Sequence, residues 1–259
     1  AASTEAARKF RRFKGDVMGK GSGWGGQCTS VQAGSIDRHA GFPDQRCPAH
    51  ALGTELGAVL GRVATERFQA HLVQHLGYQA HETLVRPLLE SGRNFEAVLD
   101  LGCGTGLCGA LMRPLASAID GVDVSSAMLE QAGAGGAYRD LTHAGLAASL
   151  AASRNRYDLV LAADVFIYVG ALETVFAEVC RILVPAGCFA FSLEPSERQE
   201  VQLLPSLRYA HSQDYIRRLA ERHGLIVDKI VQAPIRHDQQ QPVMGLYCYL
   251  HRAGGADAG

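Results

Sequence analysis

The chain has no apolar run near the roughly 20 residues that a membrane-spanning helix needs, no C-x-x-C pair and almost no net charge. The first absence excludes a helical membrane span within it. The second, with no histidine cluster at zinc spacing, removes the usual signature of a metal centre, so no metal is expected. Seven cysteines (Cys28, Cys47, Cys103, Cys108, Cys180, Cys188 and Cys248) are present without a disulfide framework. That points to packing thiols and a reducing, cytoplasmic setting. The 25 basic and 26 acidic side chains nearly cancel, which leaves no field to steer the protein towards nucleic acid or anionic lipid. No basic stretch interleaved with aromatics suggests an RNA or DNA groove. The partner expected is a small molecule, with no nucleic acid and no membrane; the oligomeric state stays open.

With 259 residues, 47% of them hydrophobic, the chain has enough apolar surface for a sizeable core. Its opening "AASTEAARKFRRFKGD" is basic, with Phe10 and Phe13 at helical spacing, yet Glu5 and Asp16 set it apart from acid-poor transit peptides. Residues 17–58 are rich in Gly, Pro and Ser and show neither strand nor helix period. Residues 1–61 are therefore expected to form an irregular or flexible extension, with Trp24 as the anchor if it folds over the core. Residues 62–91 read as two lid helices broken at Gly77, and residues 253–259 as a flexible tail. His71 and His75 sit one helical turn apart, without a third ligand that would make them a metal site.

From residue 92 to 252 strands alternate with helices. "AVLDL" reads as a buried strand, "GLCGALMRPLA" as a helix, and "AIDGVDVS" as a strand ending at Asp123. "SAMLEQA" follows as a helix capped by Ser125 or Ser126. "GAYRDL" is a short element ending at Asp140 before a polar connection, and "YDLVLAADVFIYV" a continuous strand. "ALETVFAEVCRIL" is an amphipathic helix, "GCFAFSLE" a strand, "SQDYIRRLAERHG" a helix stopped by Gly224, and "LIVDKIVQ" a strand. Alternation of this kind implies a doubly wound α/β sheet. The last strand, "PVMGLYCYLHR", follows the previous one without a helix, so it should run antiparallel.

The run "LDLGCGTGLCG" at 99–109 admits two cofactors. From Gly104 it satisfies the G-x-G-x-x-G pattern of dinucleotide enzymes. From Asp100 it is an acid at a strand end followed by alternating glycines, which would repel a pyrophosphate and suit a ligand carrying an ammonium and a sulfonium. Asp123, 19 residues after Gly104, is placed to accept from ribose hydroxyls in either case. Asp140 is placed to accept from an adenine amine.

Taken together, "VLDLGCGTG", "IDGVDVSSAML", "YRDL", "YDLVLAADVFIYV", "ILVPAGCFAFSLE" and the reversed last strand resemble a class I S-adenosylmethionine-dependent methyltransferase over about 66–252. The resemblance implies a Rossmann-like, seven-stranded sheet with an antiparallel last strand. It implies that Asp100 holds the methionine amino group through water or backbone, with Gly102, Cys103 and Gly104 against methionine and ribose. Asp123 would bind the ribose hydroxyls, Val124 and Met128 the adenine face, Asp140 the adenine amine and Leu141 the ring through its N–H. Ala162 and Ala163 would line the methionine side, and S-adenosylhomocysteine would be the product. "RFQAHLVQHLGYQAHETL", "RYAHSQDYIRRLAERHGL" and "QPVMGLYCYL" resemble predicted methyltransferases often associated with tetratricopeptide repeats, although no 34-residue repeat occurs.

The resemblance implies methyl transfer to a small-molecule acceptor by in-line displacement, for which alignment and exclusion of water matter more than a catalytic signature. His71, Asp164, Tyr168, Tyr209 and His211 are candidates to orient or deprotonate an acceptor, and none is singled out. The alternative is a catalytically silent donor-binding protein acting as a sensor or assembly partner.

Overall fold

The computed structural model describes residues 78–238 and 241–254. Expectations for the extension, the first lid helix, Trp24, His71, His75 and residues 255–259 lie outside the described residues.

The described part begins with α1 (Ala80–Glu90), which buries Ala80, His81, Leu84, Val85 and Leu88 along one face. Pro87 lies inside this helix and has no N–H to give Thr83. The Tyr249 hydroxyl donates to the Thr83 and Leu84 carbonyls instead, at 3.2 and 3.0 Å.

The sheet is built from β1 (Val98–Leu101), β2 (Ile119–Asp123), β3 (Asp140–His143), β4 (Tyr157–Ala162), β5 (Leu183–Pro195), β8 (Leu225–Asp238) and β9 (Gln241–Arg252). Helices α2 (Leu107–Met112), α3 (Ser126–Ala134), α4 (Leu146–Ala152), α5 (Glu173–Ile182) and α6 (Gln213–Arg222) connect them. The spatial order is β3-β2-β1-β4-β5-β9-β8, and the first five run parallel. Strand β9 is antiparallel to β8, as the missing crossover helix requires, and it also pairs antiparallel with β5. A small hairpin, β6 (Val201–Leu203) and β7 (Tyr209–His211), extends the end of β5, where β7 pairs in parallel with Glu194 and Pro195.

Strand periodicity divides the core between the two faces of the sheet. Leu99, Leu101, Val160, Ala162, Phe189 and Phe191 face the layer that holds α5 and α6. Val98, Leu159, Leu161 and Ala190 face α1 and α2. Phe166, Phe176, Phe189 and Phe191 pack as a cluster, mostly edge to face, with ring centroids 4.5 to 6.1 Å apart. Asp100 alternates with Leu99 and Leu101, which turns its carboxylate to the α2 face. This places an acid where α2 begins.

The structure departs from the sequence reading at four points. The third strand does not end at Asp140 but starts there, and runs to His143. Its outward side chains are polar and exposed, so periodicity left no mark of its limits. The polar connection after it contains α4, an alanine-rich helix of nearly two turns fastened by buried Leu150. The continuous strand "YDLVLAADVFIYV" is cut at Ala162, because Asp164 takes φ 59° and Phe166–Tyr168 wind into a 3-10 turn. The polar segment after "LIVDKIVQ" stays in β8 up to Asp238, so the last two strands form one long hairpin.

Candidate functional site

The carboxyl ends of β1, β2 and β4 meet at the centre of the sheet, where the loop 102–106 leaves β1 for α2. Gly102, Gly104 and Gly106 take φ of 67°, 54° and 90°, a region that only glycine enters freely. The Gly102 and Cys103 N–H groups donate to Val122 O at 2.7 and 3.0 Å, which ties the loop to β2. Each glycine has a different second reason to lack a side chain. A Cβ on Gly102 would strike Val165, and one on Gly106 would press on Tyr138 and Ala132. Among the described residues a Cβ on Gly104 would meet nothing within 4 Å, which leaves room for a ligand at the crest of the loop.

Asp123 grips that crest. Its Oδ2 accepts from Gly104 N at 2.9 Å and its Oδ1 from Ser125 N at 2.8 Å. Burial pushes its carboxyl upward, and the backbone N–H groups around it pull it back down. Ser125 caps α3 by accepting from Met128 N, which leaves Met128 buried beneath the β2 end. Val124 O lies 2.8 Å from His143 Nε2, and Ala144 N donates to Asp123 O at 3.1 Å. The residue brought beside Asp123 by β3 is thus His143.

Asp140 is not brought there. It pairs with Asp120 at the opposite end of the strands, three positions upstream of the Asp123–His143 pair. Leu141 pairs with Gly121, and its side chain packs on that glycine, away from the loop. Asp120, which sequence reasoning passed over, is held by a two-pronged Arg139 contact and by the Tyr157 hydroxyl at 3.0 Å. It belongs to the frame.

Asp100 is 1% exposed and accepts from the Tyr138 hydroxyl at 2.7 Å. Burial pushes it up to about 7, against the pull of that hydrogen bond. The Tyr138 hydroxyl in turn accepts from Gly109 N at 3.2 Å. Its ring occupies space that a side chain on Gly109, Gly121 or Gly106 would fill. Tyr138 was missed in the sequence; a glycine inside the pattern of α2 was the available signal, since Gly109 weakens a helix unless something must approach it. Cys103 and Cys108 are buried, and burial raises both thiols far above their usual range. Neither is a nucleophile there.

Past β4, Ala162 is buried and Ala163 half-buried, with Val165 resting on Gly102. Asp164 is held by Ser192, whose hydroxyl accepts from Asp164 N at 2.8 Å. Of the other candidate bases, His211 is fully buried, contacts Gly170 O through Nε2 at 2.8 Å and stacks on Tyr215. Burial lowers its pKa, and its place is structural. Tyr209 packs on Gly170, and Tyr168 is 49% exposed.

A parallel sheet with a glycine loop after β1, an acid closing β2 and a reversed strand beside β5 decides the architecture. The core has a Rossmann-like methyltransferase fold. Residues 99–191 match the family model described as a methyltransferase domain. Malonyl-[acyl-carrier protein] O-methyltransferase from Salmonella typhimurium is 29% identical over 165 residues, which cover 61% of this chain and 62% of that protein. The Legionella pneumophila protein of the same name is 34% identical over 128 residues, 46% of this chain and 44% of its own length. The chain thus spans less than two thirds of either relative. Among solved structures, magnesium protoporphyrin IX methyltransferase from Synechocystis, with bound S-adenosylmethionine, superposes with a TM-score of 0.59 at 15% identity, over 82% of this chain and all of that one. Among the described residues no helix of this methyltransferase fold is long and apolar enough to cross a membrane.

Proposed function

We propose that the chain is an S-adenosylmethionine-dependent methyltransferase acting on a small-molecule acceptor. The observation that carries this reading is the open crest at Gly104 held from below by Asp123. A backbone that meets none of the described residues there can approach a ligand closely. The same carboxylate, partly exposed, retains lone pairs for ribose hydroxyls.

The residues present fit the donor. Asp100 and Asp123 together set two acids around one loop, with no cation of the described residues paired to either side chain. That suits a ligand bearing positive charge and disfavours a pyrophosphate. Gly102, Cys103 and Gly104 would lie along the methionine and ribose, Val124 and Met128 beside the adenine, and Ala162 and Ala163 on the methionine side. Asp140 and Leu141 are left out of the set by their register.

When bound, the donor supplies a methyl group already activated by its sulfonium. The protein then has to align the acceptor, exclude water and provide for its proton. The likeness of several segments to methyltransferases associated with tetratricopeptide repeats belongs to this same reading, as does a cytoplasmic setting. The test is turnover of methyl-labelled donor with a panel of metabolites. Release of S-adenosylhomocysteine with label in one acceptor supports the enzyme. Tight donor binding with no turnover by any acceptor would favour a silent binding protein.

A further inference from the structure

Beyond the donor loop, β4, β5, β7 and β8 bring four charged side chains to the same end of the sheet: Asp164, Glu194, Arg208 and Arg236. Glu194 is 7% exposed in its side chain and Arg236 12%. Arg236 Nη2 donates to Glu194 Oε1 at 2.6 Å, and Arg208 Nη1 reaches the same oxygen at 3.5 Å. The guanidinium of Arg236 is therefore fixed at one end. Its other end is not satisfied: among the described residues Nη1 has no hydrogen-bond partner, and neither does Asp164 Oδ1, although both atoms are buried. They face each other at 3.8 Å, too far for a hydrogen bond. The two form an ion pair without a hydrogen bond, and the missing hydrogen bonds are costly where water is scarce.

The backbone at Asp164 is strained as well. It holds φ 59° without being glycine, a conformation that persists only where the surrounding structure enforces it. Here Ser192, fully buried, does so through the Asp164 N–H. The neighbouring Val165 rests on Gly102, so the strained residue adjoins the donor loop.

We propose that Asp164 and Arg236 form the acceptor site and that the group they take is a hydroxyl, placed with its proton towards Asp164 Oδ1 and its oxygen lone pair towards Arg236 Nη1. This rests on the methyltransferase reading and names the acceptor chemistry for it. Both atoms are covered in this structure, so the hydroxyl enters as the side chains over them part; an oxygen about 2.8 Å from each then completes a triangle on the 3.8 Å base. Only a group that both donates and accepts satisfies the two ends. A carboxylate has no proton to donate and would meet the acids of Asp164 and Glu194. An amine beside Arg236 is disfavoured once protonated and then has no lone pair. In the transfer, the hydroxyl proton passes to Asp164 and the oxygen pair forms the bond to methyl. The sulfur–methyl bond breaks with its pair left on sulfur, giving S-adenosylhomocysteine and a methyl ether. Burial holds the Asp164 carboxyl up at about 6, with Arg208 drawing it down. That value suits a base working near neutrality, and an acidic hydroxyl such as a phenol matches it better than an aliphatic alcohol.

The test uses three small isosteric probes, phenol, aniline and benzoate, titrated by NMR into the full chain saturated with S-adenosylhomocysteine. Phenol should bind at least tenfold more tightly than the other two. Asp164→Asn and Arg236→Lys should each weaken phenol at least fivefold, with the affinity for S-adenosylhomocysteine unchanged. Methyl-labelled donor should give anisole with the native chain, and Asp164→Asn should lower kcat at least 100-fold. Absence of phenol binding, equal binding of benzoate or aniline, or variants that lower Tm without altering phenol affinity would overturn the proposal. Failure of S-adenosylhomocysteine itself to bind would instead overturn the donor reading.

Discussion

Tyr138 donates its hydroxyl to Asp100 at 2.7 Å from a bed of three glycines, Gly106, Gly109 and Gly121. The acid that marks the loop in the sequence is thus satisfied within the protein, by a side chain 38 residues away. In the function proposed above, Asp100 would place its carboxylate near the donor's cationic end, with the tyrosine fixing its direction.

Asp100 should make both stability and donor binding depend on pH. Its folded value of about 7 lies above the ordinary 3.8, so its contribution to stability is complete below pH 4 and is lost as pH rises through 7. In thermal melts compared with the native chain, Asp100→Asn should gain relative stability between about pH 4 and 7 and hold that gain above. The gain should approach about 1.4 kcal/mol for every pH unit that separates the folded and ordinary values. A cationic donor favours the ionised acid, so its binding should release a proton below pH 7. Calorimetry in buffers of different ionisation heat would measure that release.

Tyr138→Phe removes the hydroxyl that both Asp100 and Gly109 use. Loss of a buried hydrogen bond to a carboxylate should lower stability by about 1–3 kcal/mol and push Asp100 further up. Urea unfolding reads the first effect, and a shift of the pH midpoint of donor binding above 7 reads the second.

Asp123→Ala leaves the Gly104 N–H without its partner and removes the acid expected to hold the ribose. Donor affinity should fall by about 10- to 100-fold, while unfolding changes less. Asp140→Ala, by contrast, should leave donor affinity within about twofold, since that residue sits at the far end of β3.

Phe176 is fully buried against Phe189 and Phe191, with centroids at 5.5 and 5.8 Å. Phe176→Ala should cost about 3–5 kcal/mol of stability. Donor affinity of the folded fraction should change much less than stability, because Phe176 packs on Phe189 and Phe191 of β5.

How far these features could be read from sequence depended on how local their causes are. Strands β1 and β2, a serine cap at 125 or 126 and the Gly224 stop were legible because periodicity and capping act over a few residues, and the structure gives the cap to Ser125. Strand β3 was not, for its exposed side chains carry no hydrophobic pattern, and Asp140 was misplaced with it. The end of β4 was hidden by an apolar run that continues past Asp164, where backbone conformation and the Ser192 contact make the break. Tyr138 and Arg236 act through contacts 38 and 72 residues away, on Asp100 and Asp164, which no spacing rule reveals.

Everything proposed for this protein turns on the glycine loop, with Asp100 and Asp123, holding S-adenosylmethionine. Isothermal titration of the chain with S-adenosylmethionine, S-adenosylhomocysteine and NADH decides the matter. Saturable binding of the first two, weakened by Asp123→Ala, and none of NADH is the expected result; tight NADH binding with no response to the sulfonium donor would refute it.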